Sequence, residues 1–549
     1  MNREFSQRPP LAGQWFDVAV IGGGVNGVAI ARECARAGAA VLLAEQHDFA
    51  SGTTSRSTRI IHGGLRYLEH GEIGLVRESV AERERLLRQR PHLVRSLNFL
   101  LAMPPGRGRR SALGIRAGLW LYRRFGDGAP HRGPGDGEAR RRFEQALDSG
   151  RRLALFSYDD AQCEFPERLV AEWLREAVAA GAEVRNHTRA LRIQTSGGRV
   201  QGVLLRDQLS GAEFAIECRL VVNAGGPWAD QVAAAAGLRQ GARLVGGTRG
   251  SHIVLGRLPG VSSSAIYAPA ADGRPVFMVP WNGQVLVGTT DIPDQGDPGR
   301  TLPTTDEIAY LLAAVNAMFP AARLGLADIA YAFAGVRPLP YAPGEAPAAI
   351  SRRHFLHNHG ADGAAGMVSV IGGKLTTAAS LARQCARKLG YGVAEPAGAV
   401  AMADDGPDAA LLEWQRRVAS SAGIGKRTAH ALVDWHGEHA LKLARAAARD
   451  ARLRAPLCEH TAHIAVEALS AVQDEYAATL ADVLLRRVPV ALHASWSAAC
   501  TRTAANSVGA ALGWTERRRE EEIERFQQER AAFLVKPVPA ARALAPETA

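Results

Sequence analysis

A glycine-rich turn between an apolar run and a helix, alternating apolar segments over 245–295, and an almost wholly helical stretch beyond residue 405 predict an α/β protein in three parts. The parts are a Rossmann-like domain, an antiparallel-sheet domain inserted into it, and an all-helical C-terminal domain. A chain of 549 residues is long enough for two or three domains. Hydrophobic residues make up 47 %, ample for large cores, which excludes a disordered protein.

The elements follow in order. Trp15 to Ile21 is a short apolar run typical of a buried strand, Val25 to Ala37 reads as a helix, and Val41 to Ala44 as a second strand. Strand, turn, helix and strand make a βαβ unit that starts a parallel sheet. From about 75 to 100 the pattern is charged and helical, 104–137 is Arg-rich and broken by Pro and Gly, and 168–181 is an amphipathic helix. Strand-like runs end in Leu220-Val221-Val222-Asn223-Ala224, and SHIVL, PVFMVPW and QVLVGTT follow as alternating segments. Composition shifts to Ala, Asp, Gly and Pro around 400–410, and helices are expected from there to about 534. In DEYAATLADVLLRR, Tyr476, Leu480, Val483 and Leu484 recur at helical spacing before Pro489. The Pro/Ala-rich tail is expected to be disordered from Lys536. The expected boundaries are 15–400 for the α/β region, 405–534 for the helical domain and 535–549 for the tail. Within the first, segments of about 15–105, 165–245 and 335–400 form the nucleotide-binding domain, and 106–164 and 246–334 the substrate domain.

A net charge of +11 favours anionic partners: phosphate-bearing substrates, acidic lipid or nucleic acid. With 6 % aromatic residues and no nucleic-acid module, nucleic acid is not an expected partner. The six cysteines, Cys34, Cys163, Cys218, Cys385, Cys458 and Cys500, include no CxxC pair, so neither a zinc site nor a disulfide framework is expected, and a reducing cytoplasm fits. No signal peptide and no apolar run of about 18 residues is present, so any membrane contact is expected to be peripheral.

The strongest local motif is Gly22-Gly23-Gly24-Val25-Asn26-Gly27, a G-x-G-x-x-G placed after a strand and opening a helix. Gly22 permits the turn, Gly24 lets backbone approach a pyrophosphate at the helix N-terminus, and Gly27 lets the helix pack on the sheet. Glu45, closing the second strand, suits a ribose hydroxyl. Three other segments end in small-residue turns: Ser55 to Glu69, Val222 to Trp228 and Ile371 to Thr377. The helix after the last is a further positive pole.

The segments IHGGLRYLEHGE, VNAGGPWAD, GSHIVL, GTTDIPDQGDP, AGVRPL and GGKLTT, in this order over roughly 15–530, resemble the aerobic FAD-dependent glycerol-3-phosphate dehydrogenases. The resemblance implies noncovalent FAD in a domain pair of the D-amino-acid-oxidase type with a helical C-terminal domain. It implies oxidation of sn-glycerol 3-phosphate to dihydroxyacetone phosphate, electrons passing to a quinone, and peripheral attachment to the inner face of the plasma membrane with contact to anionic lipid. A homodimer is open. Alternatives are a related flavoenzyme acting on another hydroxy acid or amine, and an oxidase using oxygen.

Carried onto this chain, the resemblance assigns Arg66 and Arg337 to substrate phosphate, with Tyr67 orienting it. Lys374 matches a lysine beside flavin and substrate, where its charge stabilises a reduced flavin or a developing alkoxide. His62 matches a histidine near the substrate hydroxyl and is a candidate base. The catalytic set is therefore His62, Arg337 and Lys374, with His252 as a further substrate contact and Asp291 second-tier. The expected cofactor contacts are Gly22, Gly24, Gly27, Glu45, Ser57, Thr58, Ala224, Gly225, Gly372, Lys374, Leu375 and Thr376.

Three features stand outside that assignment. His354, His357 and His359 look like a metal cluster, but with no carboxylate or thiol in view they read as a loop of solvated histidines, and no metal is expected. Basic residues from Arg107 to Arg124 surround Leu113, Ile115, Leu119, Trp120 and Tyr122, a candidate lipid contact with Ile115, Leu119 and Tyr122 on one stripe. Glu167 stands where the resembled family carries Asp, a departure that bears on specificity.

Overall fold

The computed structural model describes residues 11–65, 71–104, 111–126, 141, 143–147, 153–238, 243–258, 261, 264–345, 350–392 and 407–537. Arg66, Tyr67, Arg107, Arg109 and Arg110 lie outside the described residues.

The first strand, β1 (Trp15–Ile21), is apolar on both faces because helices and a second layer cover it. It pairs in parallel with β2 (Val41–Ala44) on one side and Glu213–Asn223 on the other. Glu183–Arg185 and Met367–Ile371 extend the parallel sheet outward, and Phe355–Asn358 closes one edge antiparallel. Helix α1 (Val25–Arg36) packs on this sheet with the helices Pro166–Ala179 and Ala378–Lys388. The glycine motif and the ends of three parallel strands therefore open on one crevice, where α/β sheets bind ligands.

A second, mostly antiparallel sheet runs in the order 292–293, 248–255, 284–288, 275–281, 264–269, 94–103, 154–163, 60–61, with Ile329–Arg337 on the strand 248–255. The alternating block at 245–295 forms as the sequence predicts. The charged helix does not run to 100: it spans Ile73–Gln89, Pro91 follows its end, and Val94–Met103 is a strand of the second sheet. Ile60–Ile61 also belongs to that sheet, so the chain crosses between sheets earlier than the sequence suggests.

The C-terminal region is helical over 407–533 and contributes to one core with the second sheet. Val535 pairs with Ala332 in both directions (2.7 and 2.8 Å), so the tail's first residue is fixed. DEYAATLADVLLRR is not one helix. Tyr476 has φ +60°, Thr479 caps Leu480–Asp482, and Val483–Arg487 form a π-turn. The Asp482 carboxylate accepts from the Ala478 and Thr479 amides (2.7 and 3.1 Å), which starts the helix late. Cys458 and Cys500 are brought side by side (Cα–Cα 5.0 Å) across 42 residues of sequence, a proximity that no local spacing rule reports. Among the described residues, no helix is long and apolar enough to cross a membrane.

Candidate active site

A cavity of about 600 Å³ opens where the parallel strands end. Gly22 (φ +108°) makes the turn at its floor, and a Cβ there would lie 2.5 Å from the Ala224 carbonyl oxygen. A Cβ on Gly27 would run into the Gly22 carbonyl, so α1 reaches the sheet only with glycine at that position. The Val25 amide donates to Thr54 Oγ1 (3.1 Å), tying the helix start to the loop 51–55 along the cavity wall. Glu45 accepts from the Gly23 and His47 amides (2.6 and 2.8 Å); burial nevertheless pushes its carboxyl up. Asn26 Oδ1 and Arg56 Nε, both on cavity-lining residues, have no hydrogen-bond partner among the described residues. A long cleft with a glycine turn and helix N-terminus at one end, a strand-end acid and orphaned polar atoms fits a flavin dinucleotide.

Of the sequence-predicted cofactor contacts, Gly22, Gly24, Glu45, Ser57, Ala224, Gly225, Gly372, Lys374 and Leu375 line this cavity. Gly27, Thr58 and Thr376 stand behind the lining. Gly27 packs helix on sheet. Thr58 Oγ1 is 2.9 Å from His252 Nε2, and Thr376 Oγ1 accepts from the His62 amide at 3.2 Å. His252 is 1 % exposed, stacked on Phe333 at 5.0 Å and joined to Thr58. Burial, aided by Arg337 and Arg59, pushes its pKa down to about 3, and the ring is neutral.

His62 is held from beneath. The Gly63 amide donates to Tyr122 Oη (2.7 Å), Tyr122 donates to Asp160 (2.7 Å), and Arg83 pairs with Asp160 at 2.5 Å. Burial lowers the His62 pKa to about 4; Asp160 opposes this, while Lys374 and Arg83 reinforce it. Lys374, expected at the start of the last helix of the α/β region, sits in the turn before it: that helix spans Ala378–Lys388 with Thr377 at its N-cap position. Burial lowers its pKa to about 7, with Glu72 and Glu78 opposing and Arg352 adding to the fall.

Arg337 ends its strand with its guanidinium on Thr289 Oγ1 (2.8 Å), the Thr290 carbonyl (3.0 Å) and Asp291 Oδ1 (3.1 Å). Arg352 reaches the other Asp291 oxygen at 2.8 Å. Burial opposes ionisation of Asp291, but the two guanidinium groups override it and hold its carboxyl below the usual range. Asp291 thus brings Arg352 alongside Arg337, and the sequence marks Arg352 only as one of an arginine pair in SRRHFLHNHG.

The helical domain also reaches the cavity. Arg486, Arg525, Glu529 and Phe533 line it, and the π-turn sends Arg486 and Arg487 onto Asp48, Arg487 with two bonds of 2.8 Å. Nothing local in the sequence marks these residues, because their role depends on how the helical domain docks. Glu167 is not at the cavity. Its carboxylate meets Arg59 in two bonds of 2.8 Å, both side chains fully buried, and Arg59 also donates to the Ser55 and Glu164 carbonyls and lies 4.5 Å from the Trp281 ring centroid. Glu167 therefore supports the 55–61 segment through Arg59.

Comparison with known proteins agrees with the geometry. Residues 17–379 match the family model of FAD dependent oxidoreductases, and residues 371–519 that of the C-terminal domain of alpha-glycerophosphate oxidase. The chain is 34 % identical to a glycerol-3-phosphate dehydrogenase of Synechocystis sp. over 95 % of its own length and 97 % of the relative's. It is 39 % identical to one of Pseudomonas aeruginosa over 71 % of this chain and 74 % of that one. The crystal structure of the glycerol-3-phosphate dehydrogenase from Bacillus halodurans, complexed with FAD, superposes with a TM-score of 0.72 at 25 % identity, covering 95 % of this chain and 96 % of that one. The cofactor is FAD, and the chain belongs to the family of glycerol-3-phosphate dehydrogenase and oxidase flavoenzymes.

Proposed function

We propose that the protein oxidises sn-glycerol 3-phosphate to dihydroxyacetone phosphate and hands the electrons to a quinone. The observation that carries this reading is that Arg337 and Arg352 converge on Asp291, with Arg352 within electrostatic reach of Lys374, which lines the FAD cavity. Guanidinium forks match phosphate oxygens, so a phosphate group competes with Asp291 for the two arginines. Arg66 and Tyr67 join them by family resemblance. FAD supplies the hydride acceptor for the substrate's C2 hydrogen. His62, neutral at physiological pH, takes the C2 hydroxyl proton, so that hydride and proton leave together and a ketone remains. A bound phosphate dianion raises the Lys374 pKa, so in the complex Lys374 is charged and offsets the negative charge growing on the oxygen.

Delivery to quinone implies contact with a membrane surface. On the helix Ala112–Arg124 the expected stripe faces inward: Leu119 and Tyr122 are buried. Leu113 and Trp120 instead stand 78 % and 65 % exposed, one face of the helix with Arg116, Arg123 and Arg124 close by. Apolar side chains ringed by arginine suit an anionic lipid interface. The test is stopped-flow reoxidation of the substrate-reduced enzyme. Fast reoxidation by a soluble quinone with slow reoxidation by oxygen is expected; the reverse order makes the protein an oxidase.

A further inference from the structure

We propose that His357, His359 and Asp362 form a binding site for a divalent transition-metal ion, of the zinc, nickel or cobalt class. The sequence offers the histidines without a third ligand, and the fold supplies it. The antiparallel strands Phe355–Asn358 and Met367–Ile371 are joined by a turn that folds Asp362 back over both rings. His357 Nε2 and His359 Nδ1 each lie 2.9 Å from the same oxygen, Asp362 Oδ2, and the three donor atoms fall within 4.8 Å of one another. Around an ion bonded at about 2.1 Å, neighbouring donors stand about 3.0 Å apart in an octahedron and about 3.4 Å in a tetrahedron. The nitrogen-to-oxygen separations need a shift of only a few tenths of an ångström to take either geometry.

Orientation is built in as well. His359 is 2 % exposed, and its far nitrogen Nε2 lies 2.7 Å from Ser369 Oγ. Ser369 Oγ also receives Asn223 Nδ2 at 2.9 Å, and a hydroxyl oxygen has a second lone pair for an Nε2–H. With Nε2–H donated to Ser369 Oγ, the Nδ1 lone pair is left for an ion, and Ser369 then serves as the outer partner that a metal-bound histidine has. His357 and Asp362 are 34 % and 39 % exposed in their side chains, so an ion can enter and keep water in its open positions. Two imidazoles and one carboxylate favour borderline transition metals over magnesium or calcium. The chain of hydrogen bonds from His359 through Ser369 reaches Asn223, whose Oδ1 accepts from the Gly225 amide (3.1 Å) at the FAD cavity wall, so the ion braces the hairpin that leads into Gly372 and Lys374.

The test is equilibrium dialysis of the flavin-loaded enzyme against micromolar Zn²⁺, with metal counted by elemental analysis. Wild type is expected to hold one equivalent more than the double variant H357N/D362N, at positions exposed enough to spare the fold. D362N alone weakens that equivalent about tenfold or more, and millimolar Mg²⁺ does not displace it. Equal zinc content and equal affinity in wild type and double variant, with flavin retained in both, would overturn the proposal.

Discussion

Replacing Glu167 by Gln tests the support beneath the active-site wall. The substitution keeps the shape of the side chain but leaves the Arg59 guanidinium charged and fully buried without its carboxylate. Removing one partner of a buried ion pair costs about 3–5 kcal/mol. With a urea slope of about 3 kcal/mol/M, the midpoint of the first unfolding transition falls by roughly 1–1.7 M. Ser55 and Ser57 line the cavity on the same segment, so flavin release, read as a rise in flavin fluorescence, should accompany that transition. The double variant R59M/E167M removes the stranded charge and should recover at least half of the lost stability, since apolar replacement of a buried pair is often neutral. Glu167→Asp should lower the midpoint less and leave the substrate preference unchanged. A Glu167→Gln midpoint indistinguishable from wild type would refute the reasoning.

Other consequences are equally measurable. Gly27→Ala forces a methyl group into the Gly22 carbonyl; an overpacking cost of about 2 kcal/mol or more predicts flavin binding weakened roughly 30-fold by equilibrium titration. Because the Lys374 pKa is lowered to about 7, kcat/KM for a phosphate substrate should fall as pH rises above 7, and Lys374→Arg should flatten that limb. The same lowering means the unfolded chain holds this proton more readily between pH 7 and about 10, so its contribution makes the fold less stable as pH drops across that window. Arg352→Met should raise KM by about tenfold or more through loss of a charge-assisted bond, with little change in flavin content. Trp120→Asp should reduce flotation with anionic vesicles while turnover with a soluble acceptor persists.

Much of this fold is legible in the chain because its signals are local. The βαβ unit is marked by an apolar strand, a glycine turn whose Gly22 has φ +108°, and a helix ending one residue short of the expected boundary. The strands over 248–288 are marked by alternation. What stayed hidden depends on distance in sequence. Val94–Met103 looks like a continuation of its charged helix until Ala154–Cys163 pairs with it. Tyr476 fits a helical stripe, yet capping by Thr479 and Asp482 wins. Arg352 gains meaning only from Asp291, 61 residues away, and Arg487 only from Asp48, 439 residues away. The turn that brings Asp362 onto two histidines is short, but its backbone has to double back before the carboxylate arrives, which spacing alone does not report.

The central claim is that a phosphate-gripping cation cluster and an FAD cavity form one reaction site. It is tested most directly by mixing the purified enzyme anaerobically with sn-glycerol 3-phosphate and following the visible flavin absorbance. Complete bleaching within the turnover time is expected, with bleaching slowed at a given substrate concentration in Arg337→Lys. A flavin that stays oxidised with this substrate, yet is reduced by a hydroxy acid or an amine, would contradict it.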